Sequence, residues 1–523
     1  MKIERTKNAT RNIIFGILLK VYQMLVPFAM RTAMIYLLGV QYLGLNSLFA
    51  SVLQVLNLAE LGVGSAMVFS MYKPIAEDDT DTICALMRLY KIYYRVIGAV
   101  VLILGLILLP FIPKLISGDV PADINVYILY LMNLAATVLS YWLFAYKNSV
   151  LQAHQRVDVT SKVMLITETI KYGLQIMVLA LFHNYYYYVI VILFTQVLTN
   201  ILTAVLANKM YPKYQAKGKM KEEIIDDINK RIKALFTAKL GGVIVNSADT
   251  IVISAFLGLT ALAVYQNYYY IMTAVVGLLG IILNACTAGI GNSLITESEE
   301  KNYNDFKKLS FMYTWIVSIC VCCFLCLFQP FMELWVGKDL LLSFPCVIMF
   351  CIYFYLYTIN HFWCMYKDSA GMWYEDRFRP LTGAMINLIL NILLVKKMGM
   401  YAILLSTILS YLMVAMPWLL HNLFSLVFKC SYVEYLKKQF IHAIITVIIA
   451  VICYFISMSI KIDGFINLVI RLIICMIIPN MIFIISYRQK KEFDEMLDLI
   501  NKITKNKSKK ICDLLIRKGD KNV

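Results

Sequence analysis

Tyr187–Ala207, YYVIVILFTQVLTNILTAVLA, is a stretch of 21 residues without a single charge, and it runs straight into a connection, Asn208–Ala234, that contains Lys209, Lys213, Lys217, Lys219 and Lys221. A helix needs about 20 residues to cross the hydrocarbon core of a bilayer, so this pair of segments reads as a membrane span ending in a basic loop. The same reading applied outward divides the chain into fourteen spans. The first six are Asn12–Leu38, Tyr42–Met71, Ile92–Ile116, Asn125–Tyr146, Val163–Phe182 and Tyr187–Ala207. The next six are Phe236–Leu257, Leu262–Leu294, Phe311–Phe328, Pro345–Tyr366, Pro380–Val395 and Met400–Leu420, and Phe440–Ile460 and Gly464–Tyr487 follow. Asn208–Ala234 is the one long connection before the tail. Composition agrees: 61% of the 523 residues are hydrophobic and 15% charged, where a soluble domain carries roughly 25% charged residues.

Lys and Arg collect in the cytoplasmic loops of membrane proteins. With the N-terminus inside, about 40 of the 49 Lys and Arg fall in cytoplasmic segments and about 5 outside (Lys114, Lys338, Lys396, Lys397 and Lys461). Both termini are therefore expected in the cytoplasm. The first span is too long for a signal h-region and no small-residue cleavage site follows it, so it is expected to be retained. The net charge of +17 sits in these loops and in a tail with Lys502, Lys505, Lys507, Lys509 and Lys510, which suits anionic lipid headgroups better than nucleic acid.

The chain also repeats itself at a spacing of about 220 residues. Tyr146-Lys147-Asn148-Ser149 recurs as Tyr366-Lys367-Asp368-Ser369, and Gln155-Arg156 is echoed by Asp376-Arg377. Leu38-Gly39 matches Leu257-Gly258, and Gly62-Val63-Gly64-Ser65 matches Gly289-Ile290-Gly291-Asn292. Six spans, an even number, separate each pair, so the halves enter the membrane in the same sense. The expected fold is an all-α polytopic membrane protein of about 14 transmembrane helices: two six-helix lobes in parallel pseudo-repeat plus two C-terminal helices. The expected boundaries are 1–207 for the first lobe, 208–235 for a cytoplasmic amphipathic linker, 236–420 for the second lobe, 421–487 for the extra pair and 488–523 for a basic tail. In the linker, Ile224, Ile225, Ile228, Ile232 and Leu235 form an apolar stripe, and Phe493, Met496, Leu497, Ile500 and Ile503 form another in the tail. Both read as helices lying flat on the cytoplasmic surface.

An ionisable group at the centre of a span costs roughly 2.5–3.5 kcal/mol on insertion scales, so those present call for a reason. Lys20 and Arg31 share nearly one face of the first span, together with Gln23 and Pro27, at about 100° per residue. No carboxylate accompanies them on that helix, which favours a cavity-lining role and an anionic cargo. Glu168, Lys171 and Gln175 form a stripe on the fifth span, where Glu168 and Lys171 either neutralise each other or serve the cargo. Glu60 with Asn57 and Gln54 on the second span, and Asp249 with Asn246 on the seventh, are candidates for balancing cavity charge or for taking up protons or sodium. Asn387 and Asn391 on the eleventh span are equally suited to gluing helices together. Arg471 reads as a packing or snorkelling residue. Cys320, Cys322, Cys323 and Cys326 read as small packing residues. No catalytic set, metal site or cofactor is expected, and no G-x-x-x-x-G-K-[ST] loop is present for ATP.

The run Leu38-Gly39-Val40-Gln41-Tyr42-Leu43-Gly44-Leu45-Asn46-Ser47-Leu48-Phe49, with Leu58-Ala59-Glu60-Leu61-Gly62-Val63-Gly64 after it, resembles the polysaccharide transporter (Wzx-type) oligosaccharide flippases. So do Asn246-Ser247-Ala248-Asp249-Thr250-Ile251-Val252-Ile253-Ser254 and Tyr374-Glu375-Asp376-Arg377. These flippases form part of the multidrug/oligosaccharidyl-lipid/polysaccharide (MOP) exporter superfamily. The likeness covers roughly residues 10 to 425, and it departs at Ala402 and Leu405, where relatives often show glycines. It implies two six-helix lobes around a cavity lined by Arg and Lys, a place that Lys20 and Arg31 fit by position and charge. It also implies an undecaprenyl-diphosphate-linked oligosaccharide moved from the inner to the outer leaflet of the bacterial plasma membrane, with polymerase or other polysaccharide-assembly proteins as partners. An ion-coupled exporter of small cationic compounds is the alternative, and Glu60 and Asp249 keep it open. A membrane glycosyltransferase or polymerase fits less well, because Asp119, Asp123, Glu333 and Asp339 are scattered at helix edges.

Overall fold

The computed structural model describes residues 5–118, 120–460 and 462–503. Lys505, Lys507, Lys509 and Lys510 of the expected tail cluster, with Asp119 and Lys461, lie outside them, as do the side chains of Asn246, Ile500, Lys502 and Ile503. Every element among the described residues is helical. In a bilayer this is what an apolar chain must do, since no water is present to bond an open backbone.

In order, the helices of the first half are α1 (Arg5–Leu37), α2 (Val40–Leu56), α3 (Val63–Ala76), α4 (Thr80–Leu108), α5 (Val126–Trp142), α6 (Asn148–Ala153), α7 (Val157–Phe182) and α8 (Tyr185–Met210). Then come α9 (Glu222–Thr296), α10 (Glu299–Val336), α11 (Phe344–Ser369), α12 (Arg379–Met398), α13 (Met400–Ser410), α14 (Met416–Asn422), α15 (Val433–Met458), α16 (Phe465–Tyr487) and α17 (Lys491–Ile503). Twelve segments are long and apolar enough to cross a membrane, and the pair α5–α6, bent by 45°, makes a thirteenth. The 75-residue α9 is two helices joined across Gly258 (φ 88°), which accounts for the fourteenth span expected from the sequence. This is a multi-pass membrane protein.

The repeated Leu-Gly pairs have a structural counterpart. Gly39 (φ 120°) separates α1 from α2, and Gly258 breaks α9 between the seventh and eighth spans. The backbone of α2 passes close to this second break: a Cβ placed on Gly44 would stand 2.2 Å from the Leu259 carbonyl oxygen. Only a glycine permits that approach.

The chain forms two compact units, Met1–Gln266 with Asn391–Gly399, and Asn267–Leu390 with Met400–Val523. In the first, α7 packs against α1 and α8, and α5 lies between α4 and α8. The amphipathic linker is not a separate helix. Nothing between Glu222 and Gly258 breaks the backbone, so the stretch continues into the seventh span as the first part of α9. Its apolar side is partly used within the unit: Ile228 is fully buried, Arg231 lies 4.6 Å over the Phe69 ring, and Asn229 accepts a hydrogen bond from Tyr93. The preceding loop is pinned by Lys147 to the Tyr214 carbonyl (3.4 Å) and by Arg88 to that of Gly218 (2.8 Å).

In the second unit α10 is central and touches α11, α15, α16 and α17. The first of the two C-terminal spans, α15, is held by buried polar pairs: Ser318 with Thr446 (2.6 Å), Ser310 with Tyr435 (2.8 Å) and the Trp363 indole N–H to Tyr435 (2.8 Å). Such pairs hold helices together where apolar contact alone has no advantage over lipid. Arg471 bonds Asn467 and the Cys326 carbonyl, so it is a packing residue. Cys322, Cys326, Cys453 and Cys475 are buried, with the Cys475 thiol on the Cys322 carbonyl. The tail stripe folds back as α17, burying Phe493, Met496 and Leu497, with Phe493 6.0 Å from Trp315.

Candidate functional site

The intramembrane charges expected from the sequence, Arg471 apart, all lie in the first unit. Those of the first and fifth spans meet because α1 and α7 pack along each other. Gln23 donates to Glu168 (3.2 Å), Thr169 donates to the Tyr22 hydroxyl (2.9 Å), and Tyr22 and Tyr172 are 6.4 Å apart. The second oxygen of Glu168 is buried and receives no hydrogen bond. Lys171 is not bonded to Glu168; its ammonium lies 4.3 Å over the Tyr172 ring and feels the Glu168 charge from beyond ion-pair distance. The paired reading of these two residues is therefore not realised.

α1 has two sides. Ile14, Leu18, Val21 and Leu25 are exposed along one. At 100° per residue Lys20, Gln23, Pro27 and Arg31 project from the other. Lys20 is exposed and makes no hydrogen bond or ion pair among the described residues. Arg31 is half-buried and close enough to Tyr188 for its charge to act on that hydroxyl. Gln175, on α7, reaches the Tyr188 carbonyl at 3.5 Å.

Glu60 sits where the second span breaks. A short 3-10 turn, Asn57–Glu60, follows α2, and Gly62 (φ 89°) starts α3 in the left-handed region. A Cβ on Gly62 would stand 2.6 Å from the Leu235 Cβ, so the first part of α9 packs directly on the break. Tyr94 donates to one carboxylate oxygen of Glu60 (2.7 Å) and Tyr141 to the other (2.9 Å), and Tyr90 donates to Tyr94 (2.7 Å). The rings of Tyr94 and Tyr141 stack at 5.6 Å. Neutral hydroxyls, with no cation in hydrogen-bonding reach among the described residues, thus satisfy this carboxylate. Sequence reasoning found Glu60 and missed its tyrosines; the one signal was the i, i+4 spacing of Tyr90 and Tyr94.

Asp249 is buried and accepts from Asn391 at 2.7 Å, while Ser247 two residues earlier reaches Gln54 at 3.4 Å. Asn387 bonds Thr407 at 3.0 Å in the second unit. Asn391 and Asn387 thus share a helix but serve different neighbours. Among the described residues no group of three or more His, Cys, Asp or Glu is placed to hold a metal ion.

No protein-family model matches the chain, and no curated protein is similar to it in sequence. Solved structures are. The lipid II flippase MurJ, in an inward closed conformation, superposes with a TM-score of 0.69 over 91% of this chain and 99% of its own, at 16% identity. An inward-facing multidrug resistance MATE family transporter of the MOP superfamily gives 0.58 over 77% of this chain and 97% of its own, at 14% identity. A MATE transporter from Vibrio cholerae gives 0.54 over 80% and 98%, at 14% identity. The likeness is one of fold.

Proposed function

We propose that this chain is a flippase that carries an undecaprenyl-diphosphate-linked oligosaccharide from the inner to the outer leaflet of the bacterial plasma membrane by alternating access. One observation carries the reading: Lys20, Arg31 and Lys171 stand on a single packed helix pair, Lys20 exposed and the Lys171 ammonium over the Tyr172 ring. Cations kept at that cost inside spans suit a diphosphate. The flippase neighbour covers nearly the whole chain, which supports the same reading. The physics of the cargo asks for such a surface, since each sugar hydroxyl moved unbonded into hydrocarbon costs about 4–8 kcal/mol. Lys20 and Arg31 would bind the phosphates, Lys171 would assist, and both termini would face the cytoplasm among anionic lipids, with polysaccharide-assembly proteins nearby.

The tyrosine-caged Glu60 favours a second reading, export of a small organic cation, because a carboxylate framed by aromatic faces is what such a cation needs. Proteoliposomes separate the two. A fluorescent undecaprenyl-diphosphate oligosaccharide should cross faster than in empty liposomes, and Lys20→Gln with Arg31→Gln should slow it at least about tenfold, the loss of one charge-assisted contact or more. Acceleration of a cationic dye, and of no glycan, would put the exporter reading in its place.

A further inference from the structure

The two C-terminal spans form a hairpin whose open end is strongly basic, with Lys429, Lys437 and Lys438 on one side and Arg488 and Lys490 on the other. There α10, α15 and α16 enclose a cavity of about 50 Å³ lined by Phe311, Lys438, Ile441, His442, Tyr487 and Lys490. Its inner wall is polar and fixed. His442 and Tyr487, both buried, are hydrogen-bonded to each other, and their rings pack on Phe311 at 5.4 and 5.0 Å. At its mouth Lys490 lies 5.9 Å from the Tyr487 ring centre, and Lys438 is shared with Glu434 at 3.4 Å. That pair is largely exposed, and exposed ion pairs hold weakly.

We infer that this cavity binds the phosphate of an anionic phospholipid, with Lys438 and Lys490 as its cations and the His442–Tyr487 pair as its hydrogen-bonding floor. The volume accommodates a headgroup phosphate and not a whole lipid. The surface beside it is what acyl chains require: Phe440, Ile441, Ile444 and Ile485 are 67%, 47%, 44% and 74% exposed. That apolar border favours a lipid over free phosphate. α17 closes the same end of the hairpin by burying Phe493, Met496 and Leu497, so an occupied site would tie α15, α16 and the tail together. The inference is independent of what the chain transports.

The test is native mass spectrometry of the full chain in detergent, titrated with phosphatidylglycerol and with phosphatidylcholine. Phosphatidylglycerol should be retained preferentially, and Lys438→Gln or Lys490→Gln should each weaken it about fivefold, the worth of one lysine near a charged headgroup. Lys396→Gln, the same change of charge elsewhere, should leave retention unaltered. Equal loss in that control would overturn the site, because bulk charge would then explain the binding. Equal retention of phosphatidylcholine would overturn it as well. Displacement of the lipid by millimolar inorganic phosphate would show an anion site without lipid selectivity, and would also overturn the inference.

Discussion

The second span and its counterpart six spans later carry the same kind of signature, Gly62-Val63-Gly64-Ser65 and Gly289-Ile290-Gly291-Asn292, yet only one of them breaks. At Gly62 the helix stops, turns through the left-handed region and presents Glu60 to two tyrosines. At Gly289 the helix continues, and a side chain there would meet nothing within 4 Å. The other repeated motif diverges in a parallel way. In the first half Asp158 is fully buried but bonds Arg156 and Lys162, whose side chains are 22% and 44% exposed. In the second half Asp376 and Arg379 are both buried and joined by two bonds of 2.6 and 2.8 Å, with Lys367 3.6 Å away. The ion-paired arginine is Arg379, whereas Arg377, the residue the repeat picks out, stacks on Tyr374 at 3.5 Å. A duplicated sequence has therefore kept its spans and reassigned its polar contacts: one half places its charge at an intramembrane break, the other locks charge at the end of a span.

The largest expected difference between the halves lies in those ion pairs. Asp376→Ala leaves Arg379 buried without its carboxylate and should cost about 3–5 kcal/mol. Asp158→Ala leaves cations that can reach water, and should cost about 1.5–3 kcal/mol. Thermal unfolding of the two variants in one detergent measures the gap, and equal losses would dissolve the distinction. Next come the glycines. Gly62→Val combines a backbone conformation costing about 1–2 kcal/mol for an L-residue with the clash against Leu235, so unfolding should occur well below the parent's temperature. Gly289→Ala, inside a helix, should stabilise by up to about 1 kcal/mol.

A comparison of buried hydroxyls is sharper still. Tyr94→Phe removes a donor from the Glu60 carboxylate and should cost about 1.5–3 kcal/mol, whereas Tyr313→Phe, in the second unit, removes a buried hydroxyl that bonds nothing among the described residues and should be neutral or stabilising. The smallest effect is a pH dependence at His154, in the first half. The His154 ring lies 4.2 Å from that of Tyr211, tilted against it, and burial, ahead of its other surroundings, holds its pKa below the ordinary histidine value. The unfolded chain then binds the proton more readily. His154 thus contributes stability that is complete above about pH 6.5, the unfolded value, and is lost as pH falls through the lower folded one. His154→Gln should flatten the fall in unfolding temperature between pH 7 and pH 5; an unchanged slope would assign the dependence to other groups.

Much of this was legible along the chain because a bilayer reads sequence almost locally. A run of apolar residues fixes a span, and Leu38-Gly39 and Leu257-Gly258 marked two helix breaks that the structure contains. The intramembrane charges were equally visible, since the cost of placing them there belongs to each residue alone. The continuity of the linker with the seventh span was not legible, because an amphipathic stripe carries no record of whether the next span continues its backbone.

What the sequence by itself determined is the all-helical, multi-pass architecture and the identity of its intramembrane charges: Lys20, Arg31, Lys171, Glu60, Glu168 and Asp249. Tertiary structure alone decided their partners. Tyr94 and Tyr141 reach Glu60 from two other helices, with Tyr90 behind Tyr94, Asn391 reaches Asp249 across some 140 residues, and Lys171 turns to a tyrosine ring in place of Glu168. Hydropathy is a property of one segment and survives any rearrangement of its neighbours, whereas a hydrogen bond depends on two side chains meeting within about 3 Å, and that is fixed only when the helices pack.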